Sequence, residues 1–573
     1  MQLPALPFLA WARHYNTSTA GRDALAAVIV TVMLIPQSLA YASLAGLPAQ
    51  LGLYASIAPL LVYALLGTSR VLAVGPVAVV SLMTASAAGE VAAVGTPAYA
   101  QAALILALLS GGMLLVMGWF RLGFIANFLS HPVISGFITA SAVLIAGGQM
   151  LVILGVRGGS QTLVDIALGL YRQADQISPW SAALGLGSLV LLIAARKGPG
   201  PLRVEAGVNA RLAGILSKAG PVFVIALAAL CTWHFGLDRR GVAIVGEVPG
   251  GLPPLSLPPF EPDVWRALLL PAFFLSLVGF VESVSVGQTL AARRRQRIEP
   301  DKELVALGAG NVAAAFSSGF PVTGGFARSV VNFDAGAETP AAGFFTAVGI
   351  ALAVLFLTPA LYYIPKATLA ATIVVAVLSL VDWTILARTW RYAKYDWACA
   401  LSTILGTLAA GVEAGLVTGI ALSLLLVLYR TSRPHIAEVG LVPGTEHFRN
   451  RDRHAVRTDG RLLSLRVDES LFFANARALE DRINAQVAAN PELKHLVLLC
   501  SAVNDIDSSA LESLEAIDRR LAEAGITMHL SEVKGPVMDR LRQSDFLDHL
   551  HGQIFLSHYL AVKTLTPEVA TRG

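Results

Sequence analysis

Charge is scarce in this chain. Of 573 residues only 14% are Asp, Glu, Lys or Arg, while 55% are hydrophobic; a soluble domain carries about 25% charged residues. A single water-soluble globule is therefore excluded. Cysteine is nearly absent too. Cys231, Cys399 and Cys500 are odd in number and scattered, which leaves no disulfide framework and no zinc-ligand spacing; they read as buried small hydrophobes. The opening MQLPALPFLAWARHYN has no basic stretch before its apolar run and no clear cleavage site, so a removed signal peptide is not expected.

The shortage of charge is uneven. Of the 42 Lys and Arg and 38 Asp and Glu residues, 36 lie in the last 139 residues. Two regions follow: a long apolar body at 1–434 and an ordinary soluble tail at 435–573. The body holds apolar runs at 24–46, 51–66, 71–88, 98–117, 124–154, 180–195, 221–235, 265–290, 304–317, 341–362, 367–381, 397–410 and 415–428, with a shorter one after Val322. Since about 20 apolar residues span a bilayer, this pattern predicts an α-helical polytopic membrane protein of about fourteen spans.

Arg121, the stretch at 196–203, RRRQR at 293–297, the basic group at 388–394 and the pair Arg430/Arg433 follow even-numbered spans. Excess Lys and Arg mark cytoplasmic loops, which puts both termini inside and the Pro-rich link at 246–263 outside. The +4 net charge is explained by this loop bias and does not call for nucleic acid.

Two stretches interrupt the apolar body. In TSRVLAVGPVAVVSLM the Gly75–Pro76 pair ends an extended approach and starts a helix; proline lacks an N–H that a first helical turn does not need. In GFPVTGGFARSVV, which begins at Gly319, Pro321, Gly324 and Gly325 break the run before Arg328, and Thr323 is placed to cap a helix starting at about Gly324. Pro76 and Pro321 are 245 residues apart, as two repeats of about seven spans would require. Each break alone is equally readable as a kink. Together they read as two half-helices whose unpaired N–H groups face each other and create an anion site.

Glu282 stands out among the few ionisable residues of the body, with fifteen uncharged residues before it and ten after it. A carboxylate at that depth needs a cavity or a partner, and Arg328 is the natural one. Glu282 is then either half of a structural pair or a protonatable switch that couples a proton to transport. Gln37 and Tyr41, one turn apart in LIPQSLAYASLAGLP, can hydrogen-bond a ligand between the helix ends or satisfy each other.

The stretch from LIPQSLAYASLAGLP through LAVGPVAVVSLM, together with FVESVSVGQTLA and AFSSGFPVTGGFARSVVNFDAGAETPAAG, resembles the sulfate permease (SulP) anion transporters, bacterial relatives of pendrin and prestin. The resemblance covers essentially the whole chain. It implies two inverted seven-span repeats, a core domain moving against a gate domain, a homodimer, and a bacterial inner-membrane location. It places the anion between the third and tenth spans, against Gln37, Tyr41, Val77, Ala78, Gly325, Phe326, Ala327 and Arg328, and makes Glu282 the counterpart of a proton-coupling glutamate. Ser283 and Ser285 stand where sodium-driven members use an aspartate and threonine cluster, so sodium is the less expected coupling ion. Ala327 departs from the serine often found there, which removes a hydroxyl donor.

In the tail, LLSLRVDESLFFANA, HLVLLCSAV and ITMHLSEV read as strands, and ARALEDRINAQVAAN, SSALESLEAIDRRLAEAG and PVMDRLRQSDF as helices. Alternation of this kind implies an α/β domain. NDIDSSALESL resembles the loop and helix of a STAS domain, the fold of anti-sigma-factor antagonists. Ser508 or Ser509 matches the region phosphorylated there, and both are also good helix N-caps. No nucleophile–base pattern or phosphate loop is present, so the tail is expected to regulate or to stabilise a dimer, and no enzymatic activity or resident cofactor is expected. The expected function is proton symport of a small oxyanion, sulfate first. Bicarbonate or C4-dicarboxylate transport and an anion channel or sensor acting through the tail are the alternatives.

Overall fold

The computed structural model describes residues 7–127, 130–156, 162–197 and 220–571. The chain divides into two compact units, Met1–Ser423 and Leu424–Gly573. Most of the basic stretch at 196–203 lies outside the described residues.

Each expected apolar run of the first unit coincides with a helix. Among the described residues six helices are long and apolar enough to cross a membrane: Thr17–Leu44, Ala49–Leu66, Pro97–Trp119, His131–Ile153, Pro262–Arg293 and Val412–Ser432. Five apolar helices are shorter: Ala78–Val91, Pro179–Ala195, Gly220–Phe235, Ala341–Phe356 and Lys366–Leu378. Pro300–Phe316 and Lys394–Ala410 are helical as well. The run at 71–88 is helical only from Ala78, because Val74–Gly75 is a strand.

Small residues let these helices pack closely where no water is available to drive association. Pro300–Phe316 lies along Pro97–Trp119. A Cβ on Gly111 would come within 2.7 Å of the Val312 nitrogen, and one on Gly308 within 2.9 Å of the Gly111 oxygen. The GAG of ALGAGNVAAAF is thus a contact surface.

Buried carboxylates tie the turns of this unit together. Glu303, 1% exposed, accepts from the Tyr63 hydroxyl (2.8 Å), the Thr68 N–H (2.8 Å) and hydroxyl (2.5 Å), and the Ser69 N–H (3.1 Å). Asp23 accepts from the Glu338 N–H and from both the N–H and hydroxyl of Thr339. A buried carboxylate is tolerated when its lone pairs are filled in this way.

The second unit contains a six-stranded sheet in the order Phe448–Asn450, Ile436–Leu441, Leu462–Val467, His495–Leu499, Thr527–Ser531, Ile554–Phe555. The first two pairings are antiparallel and the remaining three parallel. The parallel strands carry apolar runs because they are buried on both faces. Helices Ala476–Ala489 and Ser508–Glu523 join them, and Leu465, Leu479, Ile483, Leu496, Leu498, Leu514 and Ile517 form the core. The α/β reading of the tail holds strand by strand, and Gly525 ends the second helix at a φ of +75°.

One cap was misplaced in the sequence reading. Asp507, not Ser508 or Ser509, is the N-cap: its side chain accepts from the Ala510 N–H at 2.8 Å. A carboxylate one position earlier has the geometry and also meets the positive helix end. Ser508 and Ser509 are the first two helical residues, and both are exposed.

Two imidazoles are buried in this unit. Burial, with the neighbouring His495, pushes His529 down to about 4. Burial alone pushes His558 down to about 4, beside the Ser531 hydroxyl at 2.8 Å. Both are neutral in the fold, whereas in an unfolded chain histidine titrates near 6.5. The unfolded state therefore binds more protons between these values, and stability falls as pH drops from about 6.5 towards 4. Hydrogen exchange of strand Thr527–Ser531, corrected for intrinsic rate, is expected to lose protection by on the order of a hundredfold from pH 7 to pH 5, with each imidazole supplying at least about tenfold. His529→Asn should flatten that dependence.

Candidate anion-binding site

Both interruptions are half-helices, and each follows a short strand. Val74–Gly75 leads to helix Ala78–Val91, and Thr323–Gly324 leads to helix Phe326–Asp334. The two strands pair with each other in antiparallel register, Val74 with Gly324 and Gly75 with Thr323. The Gly325 N–H extends the ladder to the Ala73 carbonyl at 3.2 Å. Proline explains the first start, since Pro76 disfavours a helical residue before it. It precedes the N-cap Val77 and does not occupy the first turn. At the second, the N-cap is Gly325, and no side chain caps either helix. Thr323 does not cap, because the strand directs its hydroxyl to the Gly279 carbonyl at 2.5 Å. The first N–H groups of both half-helices lack intrahelical acceptors.

Side chains from neighbouring helices hold the two strands. The Asn311 amide bridges Val322, accepting from its N–H and donating to its carbonyl, both at 2.9 Å. The Ser283 hydroxyl accepts from the Gly324 N–H at 2.8 Å and lies 2.6 Å from the Thr323 hydroxyl. Ser283 is thereby committed to backbone positioning. From the second half-helix, Ser329 accepts from the Ala73 N–H and Asn332 donates to the Val71 carbonyl, both at 3.0 Å. Asn311, Ser329 and Asn332 escaped the sequence reading. The polar positions at three- and four-residue spacing in FARSVVNFD were the available signal, since they mark one helix face.

Arg328 is the third residue of the second half-helix, and it is 2% exposed. Its Nη2 donates to the Pro76 carbonyl, just ahead of the first half-helix. Its Nη1 is buried with no protein acceptor. The guanidinium thus joins both helix starts and retains a free donor. Glycine is required around it. A Cβ on Gly325 would lie 2.5 Å from Arg328 Nε and 2.9 Å from Val77 Cγ1.

The sequence-derived site residues fall into three groups. Gln37, Tyr41 and Ala327 line one cavity of about 300 Å³ between helix Thr17–Leu44, the second half-helix and helix Lys366–Leu378. Val77, Ala78, Gly325 and Arg328 are buried at the two helix starts and do not line that cavity, and Phe326 is exposed. Glu282 lies apart, against a cleft of about 20 Å³ lined by Val79, Ile134, Phe137, Ile138, Val278, Val281 and Leu416. The expected Glu282–Arg328 ion pair is not formed: among the described residues no contact within 4.0 Å joins them. The helix turns Glu282 towards His131–Ile153, while its neighbour Ser283 faces the strands. A shift of one position moves a side chain by about 100° around a helix.

The sulfate permease family model matches residues 21–403, and the STAS domain model matches residues 453–561. This chain belongs to the sulfate permease family. It is 35% identical over 538 residues to "Sulfate transporter 4.1, chloroplastic" of Arabidopsis thaliana, covering 92% of this chain and 77% of that one. It is 31% identical to "High affinity sulfate transporter 2" of Stylosanthes hamata, covering 98% and 87%. The fold matches that of SLC26A9 with a TM-score of 0.88 at 22% identity, over 99% of this chain and 94% of that one. It matches the transmembrane domain of the cyanobacterial bicarbonate transporter BicA with a TM-score of 0.59 at 20% identity, over 71% and 98%. Like its family, the chain is a multi-pass membrane protein with a C-terminal STAS domain.

Gly325→Ala tests the geometry. The added methyl must displace the guanidinium, so anion affinity in detergent titration is expected to fall about tenfold or more, the loss of one charge-assisted hydrogen bond. The melting temperature should fall by a few degrees, because the methyl overpacks a buried position.

Proposed function

We propose that this protein is a secondary active transporter of a small inorganic oxyanion, sulfate first, driven by proton symport across a bacterial inner membrane. Residues 1–434 form the transport region, and 435–573 a cytoplasmic regulatory domain that, with the gate region, supports a homodimer. Both termini face the cytoplasm.

The observation that carries this reading is Arg328: a guanidinium buried between two uncapped helix starts, with Nη1 unpartnered. An uncompensated buried cation is destabilising by several kcal/mol, so the arrangement favours an anion. Two opposed helix starts add partial positive charge and free N–H donors. The cavity beside them presents Gln37 and Tyr41 to a dehydrated ligand. The antiparallel pairing of the two lead-in strands supports a pair of inverted repeats. In an elevator-type cycle the half-helices and their bracing helices move together against helices such as Lys366–Leu378.

Glu282 supplies the coupling. Its surroundings are apolar, and an ionised carboxylate there is costly. It also interacts electrostatically with Arg328. Ionised Glu282 offsets the positive field that holds the anion, and its protonation restores that field. Proton and anion therefore favour each other's binding, the sign that symport needs.

Two substitutions separate the roles. Glu282→Gln is expected to abolish accumulation of labelled sulfate driven by an imposed proton gradient in proteoliposomes, while sulfate–sulfate exchange persists. Continued accumulation would remove Glu282 from the coupling. Arg328→Ala is expected to weaken sulfate binding about 10–100-fold, the range for a hydrogen bond to a charged group; unchanged affinity would remove Arg328 from the site. Competition by bicarbonate, succinate and fumarate in the same assay ranks the substrates.

A further inference from the structure

At the end of the bundle where the sequence places the cytoplasm, a cavity of about 510 Å³ opens between three segments. The short helix Pro7–Ala12 and Arg13 form one wall. The turn 67–71, just ahead of the first lead-in strand, forms the second, and the turn 296–299 with Lys302 forms the third. Arg13, Arg70, Arg297 and Lys302 all line it, against one carboxylate, Glu299.

That carboxylate is already engaged, since Glu299 pairs with Lys302 at 2.7 Å. Among the described residues no ion pair within 4.0 Å reaches Arg13, Arg70 or Arg297. Three exposed guanidiniums from three separate segments therefore converge on one cavity, none of them in an ion pair among the described residues, and outnumber its single carboxylate. Arg70 also lines the adjoining cavity of about 590 Å³, together with His14, Arg294 and the Glu338 carboxylate, which is paired with Arg22. Trp11 lies in the wall shared by both cavities, and its indole N–H has no protein acceptor.

Like charges gathered in a concave site raise the local potential and draw in anions. Arginine forks match the oxygens of phosphate groups. A basic cavity at the cytoplasmic end of membrane helices is a place where phospholipid headgroups dock. We infer that this cavity is a second anion site, separate from the transport site, for a phosphate-bearing ligand. A headgroup phosphate and a free phosphate share the chemistry. Its walls include the turn that leads into the first half-helix, so its occupant steadies that turn.

The test uses the full chain in sulfate-free buffer. One arm reads melting temperature in nanodiscs of phosphatidylcholine alone or with 20 mol% phosphatidylglycerol, roughly the anionic fraction that gives a surface potential of tens of millivolts. The other adds inorganic pyrophosphate to detergent-solubilised protein. Stabilisation of the wild type by several degrees is expected in at least one arm, and it should disappear in Arg70→Gln/Arg297→Gln. A response in the lipid arm alone assigns a headgroup; a response to pyrophosphate assigns a site open to free phosphate. Without any anion the double variant should melt at or above the wild-type temperature, because repulsion is relieved. If that variant fails to fold, Arg70→Lys/Arg297→Lys is measured, and it should keep a reduced response. Arg388→Gln/Arg391→Gln removes two charges from helix Thr384–Tyr392 elsewhere on the surface and should respond as the wild type does. The inference is overturned if the wild type responds in neither arm, if neutralising Arg70 and Arg297 changes nothing, or if the control variant loses as much.

Discussion

The transport region is organised around one contact, the donation from Arg328 to the Pro76 carbonyl. It joins the starts of two half-helices that lie far apart in sequence. A two-residue antiparallel ladder is too short to be stable by itself. It persists here because Asn311, Ser283, Ser329 and Asn332 satisfy the surrounding backbone. Irregular backbone at membrane depth is tolerated only where protein buries it or a cavity needs it. Both conditions hold at this point.

The polar groups of the body divide by how completely they are satisfied. Glu303 and Asp23 are fully hydrogen-bonded and hold turns. Arg328 keeps a buried donor without an acceptor. In a medium that penalises unmet polar groups, a group whose bonds are filled acts structurally; Arg328 shares its unmet state with Ser81, Ser141 and Thr407. By the same reasoning Ser283, which the sequence left open to ion binding, is structural.

The C-terminal unit follows ordinary soluble rules. Its strands are apolar, its helices amphipathic, and its buried imidazoles are neutral. Ser508 and Ser509 remain exposed at the start of a helix capped by Asp507. A phosphate added there would meet the positive helix end, though also the Asp507 carboxylate.

The amino-acid sequence alone determined the two-region organisation, the helical body, the α/β tail, and the two breaks at Gly75–Pro76 and Gly324–Gly325. These depend on composition, periodicity and the backbone limits of proline and glycine, which act locally. The tertiary structure decided what the breaks do. It brought their lead-in strands into register, placed Arg328 across both helix starts, and turned Glu282 into an apolar cleft away from it. It also set Gln37, Tyr41 and Ala327 on one cavity and gathered Arg13, Arg70 and Arg297 on another. The family resemblance had already grouped Gln37, Tyr41, Ala327 and Arg328 at one site, but the strand register, the direction of Glu282 and the basic cavity were not legible in the sequence. Which side chains meet depends on how helices distant in the chain rotate and pack, and small-residue contacts such as Gly111 with Gly308 are set between helices, not within them.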